Sequence, residues 1–110
     1  MFGNLGDMMK QIKTMQENIE KVKEEMKNEK IETEVGGGMV KVITNGLGEV
    51  VDIKIDKSLL DEEGYDLLKE LLIAGVNQAQ KKSKEVMGEK LSEAVGLPNI
   101  PGFNINSLLG

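Results

Sequence analysis

One apolar seam runs through the first thirty residues. Leu5, Met8, Ile12, Met15, Ile19, Val22 and Met26 recur at alternating spacings of three and four. Leu5, Ile12, Ile19 and Met26 share one heptad position, and Met8, Met15 and Val22 share the other. The intervening positions are mostly Lys, Glu, Gln and Asn, as a solvated face requires. Glu17 precedes Lys21 by four residues, the favourable order for a helical ion pair. The pattern predicts a helix over residues 1–30, about 40 Å long at roughly 1.5 Å per residue. A chain of 110 residues and 12.1 kDa cannot bury such a helix in one globule. Its expected partner is another long helix.

Three short strands are predicted next, over residues 31–57. In the first, Ile31, Thr33 and Val35 alternate with Glu32 and Glu34. Gly36-Gly37-Gly38 breaks it, and residues 39–44 form the second. Asn45-Gly46 is a hairpin-turn signal, because both residues tolerate positive φ, and Leu47 and Gly48 extend that loop. Residues 49–56 form the third strand, with Val51, Ile53 and Ile55 on one face and Asp52, Lys54 and Asp56 on the other. Short connections make the sheet an antiparallel meander. The second strand has apolar residues on both faces: Val40 and Val42 on one, Met39 and Ile43 on the other. That pattern suggests a second subunit on the second face.

Residues 58–95 read as helical. Ser58-Leu59-Leu60-Asp61 suggests a turn capped by its serine. A long helix follows, from about residue 63 or 65 to 95. Its first half is apolar nearly all round (Leu67, Leu68, Leu71, Leu72, Ile73, Ala74, Val76), which predicts burial. Gly75 and Gly88 lower its local stability by about 1 kcal/mol each relative to Ala. Gly96-Leu97-Pro98 ends it, and residues 96–110 should be an irregular tail. If the two helices pack antiparallel, the start of the first and the end of the second lie together, away from the sheet. The fold class is α+β, one domain over residues 1–110, with a sheet-containing base and a two-helix arm. Two copies joined at the base would make a tweezer-like homodimer, with Met39, Val40, Val42, Ile43, Leu71 and Leu72 as candidate interface residues.

Composition excludes much chemistry. The 14 basic residues are all lysine, against 19 acids, and there is no arginine, histidine, cysteine or tryptophan. A disulfide scaffold, a Cys/His zinc site, a thiol nucleophile and a Ser-His-Asp triad are thereby ruled out. No apolar run reaches the length of a membrane span. The first seven residues lack a basic stretch followed by an apolar one, so a cytoplasmic location is expected. Gly36-Gly37-Gly38 is followed by a strand and no Gly-Lys-Ser/Thr, which favours a hairpin over a phosphate loop. Asp61, Glu62, Glu63 and Asp66 lack calcium-loop spacing and read as acids complementing a helix start. No enzyme, cofactor or small-molecule substrate is expected.

The lysines are the remaining chemistry. Lys10 and Lys13 lie near the start of the first helix, and Lys81, Lys82, Lys84 and Lys90 lie in the second half of the last. In the antiparallel arrangement both groups fall on the arm. Lysine supplies mobile cations that reach phosphate. An ordinary solvated surface is the other reading, since Glu17, Glu85, Glu89 and Glu93 are interspersed.

Ordered pieces along nearly the whole chain resemble the YbaB/EbfC family of bacterial nucleoid-associated proteins. They are Met1-Phe2-Gly3, Met9-Lys10-Gln11, Met15-Gln16, Gly36-Gly37-Gly38-Met39-Val40-Lys41-Val42, Asn45-Gly46, Ile55-Asp56 with Ser58-Leu59-Leu60, Val76-Asn77, Ala79 and Pro101-Gly102-Phe103. The resemblance implies a tweezer-shaped α+β homodimer that binds duplex DNA with weak sequence preference, shapes the nucleoid and has no catalytic activity. Lys81 and Lys82 stand where members often carry arginine, and Lys57 where they commonly have proline. Lysine binds phosphate as a point charge and does not read guanine bidentately. The net charge of -5 predicts weak, strongly salt-dependent binding. The expected function is therefore a nucleoid-associated homodimer contacting phosphates through Lys10, Lys13, Lys81, Lys82, Lys84 and Lys90. The rival reading is a protein-interaction module whose helices engage a helical partner.

Overall fold

Every fourth residue along the second long helix changes in size as its neighbours change. Gly75, Ala79, Ser83, Met87 and Leu91 form its buried row. The first three lie over the sheet, and the last two lie over the first helix. The structure, a computed structural model, describes residues 4–96. Its elements are α1 (Asn4–Lys27), β1 (Ile31–Val35), β2 (Val40–Thr44), β3 (Val50–Ile55), a single 3-10 turn (Lys57–Leu59) and α2 (Tyr65–Val95). The three strands form an antiparallel sheet in the order β1-β2-β3. The predicted α+β arrangement is thus observed. The predicted tail beyond Gly96 lies outside the described residues.

The sheet has one apolar face. Ile31, Thr33 and Val35 of β1 and Val40, Val42 and Thr44 of β2 are buried on it. Ile53 and Ile55 of β3 pair with Val42 and Val40 and complete the surface. α2 covers it, and Gly75 makes this possible. A Cβ there would sit 3.0 Å from Val42 Cγ2 and 3.2 Å from Val35 Cγ2. The helical cost of glycine noted above is therefore offset by close approach of helix to sheet. One buried polar pair bridges the layers: Thr44 Oγ1 and Ser83 Oγ are 2.5 Å apart. Ser83 Oγ also donates to the Ala79 carbonyl at 3.0 Å, so Thr44 is the donor in the bridge.

The opposite face departs from expectation. It carries Glu32, Glu34, Lys41, Asp52 and Lys54 in cross-strand rows, with Ile43 between Glu32 and Asp52. Lys41 and Glu34 pair at 3.4 Å. Met39, expected on this face, instead packs against the Val40 and Val42 core. The face is charged rather than apolar. Val51 also differs: it is 53 % exposed, because a register shift at Ile43/Thr44 takes it out of the alternation.

Two local predictions are corrected. The turn after β2 uses no positive φ at Asn45 or Gly46; Gly48 takes the left-handed conformation at φ 84°. Asn45 Oδ1 accepts from the backbone N–H groups of Leu47 (2.9 Å) and Glu49 (3.1 Å), closing a longer loop. The 3-10 turn is capped by Asp56 rather than Ser58. Ser58 donates to Asp56 Oδ1 from both its hydroxyl (2.7 Å) and its backbone (2.9 Å). Those bonds hold the Asp56 carboxyl below the usual carboxylate range.

α1 packs antiparallel on the far half of α2. Met26 and Ile31 cluster with Met87 and Leu91, and Ile19, Val22, Val86 and Val95 pack against them. Asn18 Nδ2 donates to the Ala94 carbonyl at 3.4 Å, near the end of α2. Among the described residues, the seam meets α2 from about Met15 onward. Leu5, Met8 and Ile12 are 62 %, 56 % and 54 % exposed. The first half of α2 is also less buried than predicted: Leu67 and Ile73 are 44 % and 56 % exposed, because only one side of the helix meets the sheet.

The buried hydroxyls yield two expectations, both checked by urea unfolding. Ser83→Ala strands Thr44 Oγ1 in the core and costs about 1–3 kcal/mol. Adding Thr44→Val removes the stranded donor and recovers most of that loss. Thr33 Oγ1 is buried with no hydrogen-bond partner. Thr33→Val keeps the shape, removes an unsatisfied group and raises stability by about 1 kcal/mol.

Candidate nucleic-acid interface

The lysines separate into two sets and an outlier. Lys10 and Lys13 are exposed on the part of α1 near the end of α2. Lys10 borders a groove with Gln11, Thr14, Met15, Asn18, Ala94 and Val95. Lys90 is exposed on α2 about a turn and a half before that groove. These three belong to the arm, as expected.

Lys81 and Lys84 do not. They line a concavity with Leu47, Gly48, Asn77 and Gln80, where α2 passes the loop between β2 and β3. Gln80 Nε2 donates to the Gly48 carbonyl at 3.3 Å and ties that loop to the helix. The expectation that all six lysines share the arm is corrected: α2 crosses the sheet as well as α1, and Lys81 and Lys84 fall over the sheet end. At about 1.5 Å per residue along α2, Lys84 lies about 9 Å from Lys90, and Lys81 about 20 Å from Ala94 in the groove that Lys10 borders.

Lys82 points elsewhere. Its Nζ donates to the Glu32 carbonyl of β1 at 2.6 Å. β1 is an edge strand, so this lysine satisfies a backbone acceptor at the sheet margin. At the end of α1, Lys27 is bonded to Glu24 at 2.9 Å, which raises its pKa above the ordinary lysine value.

The interface residues read from the sequence also separate. Val40 and Val42 are fully buried beneath α2 of their own chain, so their side chains have no surface to offer a second copy. Met39 packs against the same core. Ile43, Leu71 and Leu72 are half-buried. The sequence reading missed Leu47, Asn77 and Gln80. A leucine between Asn45-Gly46 and Gly48, where turns usually carry polar residues, is the signal that could have found the first.

Among the described residues no cluster of three or more His, Cys, Asp or Glu is placed to hold a metal ion. No described helix is long and apolar enough to cross a membrane.

The chain is similar to known proteins. A nucleoid-associated protein of Sulfurihydrogenibium sp. (strain YO3AOP1) is 60 % identical over 97 residues, 88 % of each chain. A nucleoid-associated protein of Persephonella marina is 62 % identical over 89 residues, 80 % of this chain and 81 % of that one. The crystal structure of an uncharacterized protein from Helicobacter pylori superposes with a TM-score of 0.61 at 33 % identity, covering 77 % of this chain and 86 % of that one. The profile of the YbaB/EbfC DNA-binding family matches residues 1–97, and the chain belongs to that family.

Proposed function

We infer that this chain is a non-enzymatic homodimer that binds duplex DNA at the nucleoid, through phosphate contacts with weak sequence preference. The observation that carries the reading is the placement of exposed lysines both on the arm (Lys10, Lys13, Lys90) and at the sheet end (Lys81, Lys84) of one elongated protomer. The names of the two relatives above, nucleoid-associated proteins, agree with it. An acidic chain repels the duplex as a whole, so local lysines must work against the net charge, and binding weakens steeply with salt.

Dimer contacts are supported by what the protomer leaves uncovered. β3 is an edge strand with Val50 39 % and Val51 53 % exposed. The outer side of α2 adds Leu67 and Ile73. At the other edge, Lys82 already occupies a β1 acceptor. The base would therefore pair through β3 and the first half of α2, with Leu71 and Leu72 behind. The charged outer face of the sheet is the weaker choice.

The exposed part of the α1 seam favours a second reading, in which the arm holds a helical protein partner. Capture of a partner that survives nuclease treatment would support it over DNA.

Three variants test the main reading. Lys10→Gln with Lys13→Gln should weaken binding to unrelated duplexes alike and flatten the log–log salt slope by about 2. An unchanged slope removes those lysines from the contact. Lys82→Gln should leave the slope within about 0.5 while lowering the melting temperature, because it caps a strand instead of meeting phosphate. Ile73→Glu should raise the dimer dissociation constant at least tenfold in sedimentation equilibrium, from burial of a charge in an apolar contact. A dimer of undiminished strength would place the interface elsewhere.

A further inference from the structure

The loop between β2 and β3 is held more firmly than a surface turn needs. Asn45 N–H donates to the Glu49 carbonyl at 3.0 Å, and Gly48 N–H donates to the Asn45 carbonyl at 3.2 Å. Asn45 Nδ2 donates to Glu49 Oε1 at 2.8 Å, while Asn45 Oδ1 receives the two backbone bonds described above. Gly46 N–H donates to the Met26 carbonyl at 2.8 Å and pins the loop to the end of α1. Gln80 ties its other side to α2. Asn45 and Gly46 are buried as a result.

What this frame holds outward is a leucine. Leu47 is 43 % exposed at the loop tip, a position where polar residues are favoured. Rigidity spent on keeping a large apolar side chain in solvent is the mark of a preorganised contact. The surroundings specify its partner. Lys81 and Lys84, one helical turn apart, line the same concavity with the amides Asn77 and Gln80, and no carboxylate is among its described lining residues. The Glu49 carboxylate is engaged by Asn45. Cations and amides around an apolar tip suit a polyanion with an apolar interior, which is duplex DNA. A hairpin tip fits a minor groove about 6 Å wide, whereas α2 beside it is about 10–12 Å across and stays outside.

We propose that Leu47 is a wedge that enters the minor groove and partly unstacks a base step, with Lys81 and Lys84 on the flanking phosphates. The inference rests on the DNA-binding reading and deepens it. It also gives that reading a form of selectivity. Unstacking is easiest at pyrimidine–purine steps, so duplexes with TA steps are favoured over duplexes of G and C alone, with no base edge read by hydrogen bonding.

The test uses the full-length protein and a duplex of about 20 base pairs carrying 2-aminopurine at a central TA step, at low salt. Binding is followed by anisotropy and unstacking by 2-aminopurine fluorescence. The wild type should bind and raise the fluorescence severalfold. Leu47→Ala should fold normally, because the side chain is exposed, and should keep the salt slope. It should lose at least half of the fluorescence rise and weaken binding to the TA duplex about tenfold. Leu60→Ala, another exposed leucine outside the concavity, should behave as the wild type. A wild type that binds with no fluorescence rise, or a Leu47→Ala variant that matches it, overturns the wedge and leaves DNA binding standing. A wild type that does not bind the duplex at low salt overturns both.

Discussion

The close approach of α2 to the sheet sets the rest of the molecule. Gly75 and Ala79 let the helix axis come down onto Val35, Val40 and Val42. Helix and sheet share no room for larger residues there. Four residues on, Ser83 meets Thr44 and makes a buried polar bridge between the layers. Another four residues bring Met87, and then Leu91, where the sheet has ended and α1 has begun. A row of fourth residues thus grades from small to large as the neighbour changes from strand to helix. One continuous helix serves two layers because its buried row matches both.

That grading also places the functional groups. Since α2 continues past the sheet, its last turns and α1 form an arm, and the described chain extends 72 Å along its longest axis. Lys10, Lys13 and Lys90 ride on the arm. Lys81 and Lys84 stay at the sheet end, beside the rigid loop after β2. Lys82, between Lys81 and Lys84 in sequence, faces the β1 edge, because successive helical residues turn about 100°. An acidic protein without arginine can present cations in this way only by position, through local clusters rather than through overall charge.

Much of the fold was legible in the sequence because it rests on periodicity. The seam of α1, the alternation of β1 and the glycine at the end of α2 each have one physical reading. Features that depend on a third element were not legible. Gly75 looks like a helix weakener until the valines beneath it are known. Val40 and Val42 look available to a second subunit until α2 is laid on them, and Met39 changes sides with the chain path. Asn45-Gly46 signals the turn that Leu47 and Gly48 extend, but the side chain of Asn45 closes it and the positive φ lies at Gly48. For the lysines, chain position named the residues but not their directions, since those follow from where α2 passes from sheet to arm.

The most direct measurement is fluorescence anisotropy of the purified protein with two labelled duplexes of unrelated sequence, at low and moderate salt. The account predicts binding to both at low salt, falling steeply as salt rises. Absence of binding to either at low salt, or binding insensitive to salt, would contradict it and turn attention to the arm as a protein-binding surface.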